Sequence, residues 1–267
     1  MQSNSQSYLA TCQLVAQLGG KELMRHRNAF ETREKGPKDL VTDADLASQR
    51  AIHDALHATH PEHHFLGEEN IDLPMVQNLN SEFTWIVDPL DGTLNYVHGL
   101  QSFSVSVALQ YQGRIIASAV FDPWLNEMYS ADENSPATLN GQPIHVSDCC
   151  DLDKALAVVS LPSAIDRESA ELQDFLSLLC AARSFRRLGS AALNLCYLAA
   201  GRLDLYWATT LKNWDIAGGQ LILQQAGGCL LDVDGSELNL EEPRLLAAST
   251  PELAKQTISL LRKKPPE

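Results

Sequence analysis

No stretch of this 267-residue chain approaches the ~20 consecutive apolar residues that a membrane-spanning helix needs. The N-terminus has no basic region followed by an apolar core, so a secretory signal peptide is not expected either. Basic residues are few beside acidic ones, 20 against 34, giving a formal charge of −14. A surface of that sign repels nucleic acid and anionic membranes, and neither is expected as a partner. It also repels an anionic substrate unless a cation inverts the charge locally; elsewhere the acidity serves solubility. The six cysteines (Cys12, Cys149, Cys150, Cys180, Cys196 and Cys229) never take CxxC spacing, and adjacent cysteines such as Cys149 and Cys150 rarely bridge. A reducing, cytoplasmic setting is the expectation. The chain has no internal repeat, no low-complexity tract and no Cys or Ser elbow of the kind that supplies a covalent nucleophile.

An apolar fraction of 45% is enough for a sizeable core. The length allows one compact unit or two fused halves. The polar segment Ser147–Lys154 reads as a seam between an N-terminal half, 1–146, and a C-terminal half, 147–267, within one compact unit. Helical spacing runs over 7–25, and Asp43 reads as the N-cap of a helix reaching about His57. The charged segment 28–41 reads as a mobile loop, and 71–82 as a polar loop. Two strands, Phe103–Val107 and Ile115–Phe121, flank a turn at Tyr111–Arg114. The C-terminal half alternates strands (157–161, 203–207, 229–233, 245–248) with helices (168–182, 190–200, 215–226, 251–263).

The chemistry concentrates in Trp85-Ile86-Val87-Asp88-Pro89-Leu90-Asp91-Gly92-Thr93. An apolar strand ends in two aspartates three positions apart, across a proline turn, so both carboxylates can face one point. Two fixed anions that close repel unless a cation lies between them, and hard oxygens suit Mg²⁺ or Mn²⁺. Gly92 and Thr93 place N–H groups where a helix can begin, which is an anion site. A cation site beside an anion site suggests a phosphate ester.

Glu68 and Glu69 follow a short strand at Phe65-Leu66; side chains there should alternate, and Glu68 is taken as the one facing the site. Asp215, in Lys212-Asn213-Trp214-Asp215-Ile216-Ala217-Gly218-Gly219, reads as a helix cap or a further ligand. Together Glu68, Asp88, Asp91 and Asp215 match the need of a two-metal site with ions ~4 Å apart. Gly189-Ser190-Ala191 opens another helix and offers donors to a polyol or phosphate oxygen, or simply caps that helix. Two other features are set aside. His53, His57, His60, His63 and His64 read as a solvated face beside an apolar stripe, and Asp232-Val233-Asp234-Gly235 as a strand-connecting turn.

Gly67-Glu68-Glu69, Trp85–Thr93 and Trp214-Asp215-Ile216-Ala217-Gly218-Gly219 resemble the signature segments of the inositol monophosphatase family. So do Asp39–Asp45, Leu139-Asn140-Gly141, Gly189–Ala192 and Ala226-Gly227-Gly228, in family order over nearly the whole chain. The resemblance implies an α+β fold, a layered αβαβα sandwich of the inositol monophosphatase and fructose-1,6-bisphosphatase type, usually dimeric. It implies a Mg²⁺-dependent, lithium-sensitive phosphomonoesterase acting on a small phosphorylated metabolite. Carried over by motif, Glu68, Asp88 and the Leu90 carbonyl hold a first ion, and Asp88, Asp91 and Asp215 a second. Glu68 reaches a weaker third ion through water. Thr93, supported by Asp45, works with Glu68 to orient the attacking water, so Glu68, Thr93 and Asp45 form the catalytic set. Substrate contacts are expected from Asp91, Gly92, Thr93, Gly189, Ser190, Ala191 and Asp215.

The chain departs from the family at two places. Ala208 stands where inositol-selective members place a glutamate, and Leu94 replaces a common threonine. Losing a buried acceptor removes contacts worth ~1–3 kcal/mol. Inositol 1-phosphate remains the leading substrate, since Asn95-Tyr96 resembles the inositol branch. The alternatives are 3′-phosphoadenosine 5′-phosphate, histidinol phosphate or fructose 1,6-bisphosphate, or a non-catalytic regulatory protein of the same fold.

Overall fold

The structure is a computed structural model that describes residues 2–36, 39–71, 81–162 and 164–262. Most of the polar segment 71–82, together with Pro37, lies outside the described residues.

The chain opens with helix α1 (Gln2–His26). Strands β1 (Thr32–Gly36) and β2 (Asp39–Thr42) then pair antiparallel, so a hairpin stands where a loop is expected. The charged first strand hides the pairing, because β1 contributes no apolar face. Helix α2 (Asp43–Thr59) is capped by Thr42 and not by Asp43. The Thr42 hydroxyl accepts from the Asp45 N–H while the Asp45 carboxylate accepts the Thr42 N–H, a reciprocal box that leaves Asp43 inside the first turn.

Strands β3 (His64–Gly67), β4 (Phe83–Asp91), β5 (Ser104–Tyr111), β6 (Arg114–Asp122), β7 (Glu127–Asp132), β8 (Thr138–Leu139) and β9 (Gln142–Pro143) form a seven-stranded sheet in sequential order. Only β3 and β4 run parallel; the other neighbours are antiparallel. Helix α3 (Thr93–Val97) lies between β4 and β5.

The later chain builds a five-stranded sheet ordered β11-β10-β12-β14-β13. Its members are β10 (Leu156–Ser160), β11 (Ser184–Arg186), β12 (Leu205–Ala208), β13 (Cys229–Asp232) and β14 (Leu245–Ala248). The helices between them are α4 (Ala170–Ala181), α5 (Ala191–Ala199), α6 (Asn213–Gln225) and α7 (Pro251–Leu261).

Three apolar clusters fix the stacking. Cys12, Leu23, Ile52 and Leu56 of α1 and α2 pack on Trp85, Val107 and Ala119 of the larger sheet. Its other face meets α5 and α6 through Ile86, Val120, Leu195 and Ile216, and the same cluster reaches Tyr206 and Ala247 of the smaller sheet. Leu178 of α4 and Leu253 of α7 cover the far side of that sheet with Trp207 and Leu246. The result is the five-layer αβαβα sandwich, with α5 and α6 as its central layer. Burial on both faces explains why β4 reads as one apolar run.

The histidine-rich end of α2 differs from the solvated face expected for it. The side chains of His53 and His63 are 4% and 3% exposed. His63 stacks on Phe83 at 4.6 Å between ring centroids, and His60 lies edge-on to Trp85 at 5.5 Å. Rings that can be neutral pack as aromatics, which a charge-based reading of histidine misses.

Candidate active site

Strand β4 carries Asp88 and Asp91 toward the starts of α5 and α6. Its register against β5 is regular up to Asp88↔Ser106, breaks, and resumes at Asp91↔Ser104. Pro89 lies in that irregular stretch, where it cannot donate a ladder hydrogen bond. The bulge lets both aspartates face inward instead of alternating. Asp88 is 1% exposed and Asp91 6%.

Gly92 follows in a left-handed conformation, φ +92°, and a Cβ there would stand 2.9 Å from the Ser102 carbonyl oxygen. No other residue makes that turn cheaply. Thr93 then starts α3 with its hydroxyl donating to the Leu90 carbonyl at 3.0 Å and to Asp45 Oδ1 at 3.2 Å. Asp45 is held by its other oxygen, which accepts the Thr42 N–H at 2.8 Å. Thr93 and Asp45, expected to act together, are thus in direct contact, while Glu68, the third member of that expected set, is turned to Lys35.

Asp91 is gripped by the start of α5. It accepts the Ala191 N–H at 2.9 Å, the Ala192 N–H at 2.8 Å and the Ser190 hydroxyl. These donors were expected to meet substrate; Ser190 and Ala191 are instead buried against Asp91, and Gly189 is the exposed member of the trio. Asp215 sits in the first turn of α6, where its carboxylate accepts the Lys212 N–H at 2.7 Å. Glycines let α6 approach the sheet: a Cβ on Gly218 would lie 2.3 Å from Ser106 Oγ.

Glu68 and Glu69 both turn toward the site, contrary to the alternation expected of a strand. β3 ends at Gly67, and the two glutamates lie on a bend. Lys35, from the β1–β2 hairpin, donates to Glu68 Oε1 at 2.8 Å and to Glu69 Oε1 at 2.6 Å. Gln49 of α2 fixes Glu69 from both sides of its backbone, donating to its carbonyl and accepting its N–H. Glu69 is the member of the pair not expected to face the site, and Lys35 and Gln49 are not singled out by the sequence; a lone lysine in a charged hairpin leaves no spacing signal.

The electrostatics are those of crowded anions. Burial first, then the charges of Glu68, Asp91 and Asp215, push the Asp88 carboxyl well above the usual carboxylate range. Asp215 is raised by burial and then by Asp91 and Glu68, against the Lys212 N–H that lowers it. Burial raises Asp91 too, and the Ser190, Ala191 and Ala192 donors partly offset that. Asp45 is pushed up to about 6 and Glu69 to about 7, burial leading in both. Among the described residues, Lys35 is the only side-chain cation hydrogen-bonded to this group.

As placed, the acids do not close into a ligand set: among the described residues no three His, Cys, Asp or Glu side chains are arranged to hold a metal ion. Glu68 is turned to Lys35 and both Asp91 oxygens are engaged with α5. The donor chemistry nonetheless suits a hard divalent cation. All four groups are carboxylates, and their mutual repulsion is relieved by protons or by positive charge.

Ala208 is fully buried at the end of β12, and the neighbouring Thr209 hydroxyl has no hydrogen-bond partner. No helix among the described residues is long and apolar enough to cross a membrane.

Comparison with known proteins gives a consistent result. The inositol monophosphatase family matches residues 4–265. The chain is 37% identical over 226 residues to the Nus factor SuhB of Pseudomonas aeruginosa, covering 84% of this chain and 83% of that protein. It is 40% identical over 218 residues to inositol monophosphatase 3 of Solanum lycopersicum, covering 80% and 81%. The crystal structure of the extragenic suppressor protein suhB from Bartonella henselae superposes with a TM-score of 0.90 at 30% identity, over 97% of this chain and 100% of that one. A five-layer sandwich, a β4 bulge presenting paired aspartates and a match from near one end of the sequence to near the other agree on one assignment: the chain belongs to the inositol monophosphatase family.

Proposed function

We propose that this protein is a divalent-cation-dependent phosphomonoesterase for a small phosphate ester, with inositol 1-phosphate as the first candidate substrate. The observation that carries the reading is that Glu68, Asp91 and Asp215, brought from separated segments, lie near enough to the buried Asp88 for each to raise its proton affinity. Glu68, Asp88 and the Leu90 carbonyl are assigned to one Mg²⁺, and Asp88, Asp91 and Asp215 to another; Mn²⁺ meets the same donor preference. When bound, these ions supply Lewis acidity and charge neutralisation for phosphoryl transfer to water.

The protein's own part is positioning. The Thr93 hydroxyl, oriented by Asp45 at 3.2 Å, is assigned with Glu68 to align the attacking water. The N–H groups of Gly92 and Thr93 are assigned to the phosphate oxygens. Ser190 and Ala191 hold Asp91 in place, and the exposed Gly189 is assigned to substrate contact. Ala208 stands where inositol-selective members place a glutamate, so a broad substrate range including other small phosphates fits this chain. A homodimer in a reducing cytoplasm completes the proposal.

Phosphate release from inositol 1-phosphate, 3′-phosphoadenosine 5′-phosphate, histidinol phosphate and fructose 1,6-bisphosphate, with and without Mg²⁺ and Li⁺, tests it. Mg²⁺-dependent, Li⁺-inhibited release led by inositol 1-phosphate is the expected result. A pure, folded preparation inert across that panel would overturn the enzymatic reading. It would favour a second one that the relatives motivate: the nearly equal identity to a protein named Nus factor SuhB makes a regulatory role of the same fold the alternative. Under that reading the excess of acid points to a protein partner and not to direct contact with nucleic acid.

A further inference from the structure

The metal and water assignments leave Lys35 unused, although it touches the central glutamates. Its position is built, not incidental. The β1–β2 register runs Glu34↔Leu40 and then Gly36↔Asp39, so Lys35 is the extra residue of a bulge. A bulge re-aims the side chain it carries. Here it brings the ammonium between Glu68 Oε1 at 2.8 Å and Glu69 Oε1 at 2.6 Å, with the lysine side chain 24% exposed.

The two glutamates are not held alike. Glu69 has a side chain 3% exposed and a backbone clamped by Gln49, whereas the Glu68 side chain is 20% exposed. If one of them releases Lys35, it is Glu68. We propose that Lys35 is a resident competitor for Glu68: it holds that carboxylate in the metal-free protein and yields it to the divalent ion, keeping its grip on Glu69. The proposal rests on Glu68 being a metal ligand. Lys35 acts through Glu68 as a positioning residue, and the hairpin sets the divalent-ion concentration at which the site fills. An ammonium is a compact point charge with three donors, able to leave one carboxylate while retaining another.

Mn²⁺ binding to the full-length, substrate-free protein, followed by electron paramagnetic resonance and calorimetry, gives a readout independent of turnover. Lys35→Gln should tighten Mn²⁺ binding roughly three- to tenfold, the scale of one partly exposed charged hydrogen bond. Lys35→Arg should stay within about twofold of the parent, since the charge and donors remain. Glu69→Gln should weaken Mn²⁺ binding, because Lys35 then has Glu68 alone.

The double variant decides between competition and a general field effect. Competition predicts that Lys35→Gln/Glu69→Gln matches Lys35→Gln, because no competitor remains for Glu69 to divert. A field effect predicts that the two changes cancel. Cancellation, or unchanged or weaker binding in Lys35→Gln, overturns the proposal while leaving the metal reading intact. A parent protein that binds no Mn²⁺ overturns both. Circular dichroism melts confirm folding of each variant, and Lys35→Met replaces Lys35→Gln if the latter does not fold.

Discussion

Helix α2 delivers Asp45 to the candidate active site from its first turn, and His57 with the C-cap His60 to an aromatic cluster at its other end, roughly 20 Å away at about 1.5 Å per residue. Strand β4 runs between the same two places, with Trp85 near the histidines and Asp88 and Asp91 at the acids. Both ends bury titratable groups, but they do so differently. At the histidine end a neutral form is available: burial first, then the proximity of His60, drives His63 down to about 4, and the ring stacks on Phe83. At the acidic end no neutral partner is provided, and the carboxylates raise one another. The first arrangement is satisfied by packing. The second leaves charge to be neutralised by protons or by a cation, and this contrast separates a structural cluster from a candidate site.

The comparison breaks most sharply at Asp91. Asp91→Asn should reduce turnover by about 10³-fold or more, while a neutral amide relieves repulsion and keeps one acceptor for α5. Its metal-free melting temperature should move little; phosphate release and scanning calorimetry read the two quantities separately. Trp85→Ala should do the reverse. Emptying a fully buried site of an indole costs about 3–5 kcal/mol in urea unfolding, with kcat per folded molecule nearly unchanged. An activity loss matching that of Asp91→Asn would dissolve the distinction.

The two ends also titrate in opposite directions. Asp45 and Glu69 have folded pKa values of about 6 and about 7, above their ordinary ones, so between about pH 4 and 7 the folded state binds more protons than the unfolded chain. Their contribution to the stability of the metal-free protein is present at low pH and is lost as pH rises through those values. His63 behaves oppositely. Its folded pKa of about 4 lies below the ordinary value, so its contribution is present above pH 6.5 and is lost as pH falls toward 4. Mg²⁺ should therefore raise the melting temperature more at pH 8 than at pH 5, where protons compete for the same carboxylates. An equal shift at both values would argue against the metal assignment. The smallest expected effect is that of His63→Phe, which should flatten the acid limb of the stability profile and leave its neutral part nearly unchanged.

Much of the site was legible because its residues stand at element boundaries marked by strong local rules. Asp88 and Asp91 close an apolar run, Gly92 forces a turn, and Asp215 precedes glycines that let α6 approach the sheet. The helices of the C-terminal half were also legible, α5 from its Ser190 cap. What escaped lacked a periodic signal. β7, Glu127–Asp132, buries Ser130 and Asp132 among apolar residues and so does not read as a strand. β8 and β9 are two residues each, too short for any pattern. Lys35 reaches Glu68 and Glu69 across more than thirty positions by way of a bulge, and such contacts depend on tertiary register.

The grip of α5 on Asp91 has a consequence for how the protein is made. Ser190 and Ala192 follow Asp91 by 99 and 101 positions, and Asp215 comes later still. A nascent chain emerging from the ribosome displays its paired aspartates long before the segment that restrains them exists. The full set of acids is therefore assembled only late in synthesis, and fragments ending short of α6 carry Asp88 and Asp91 without Asp215.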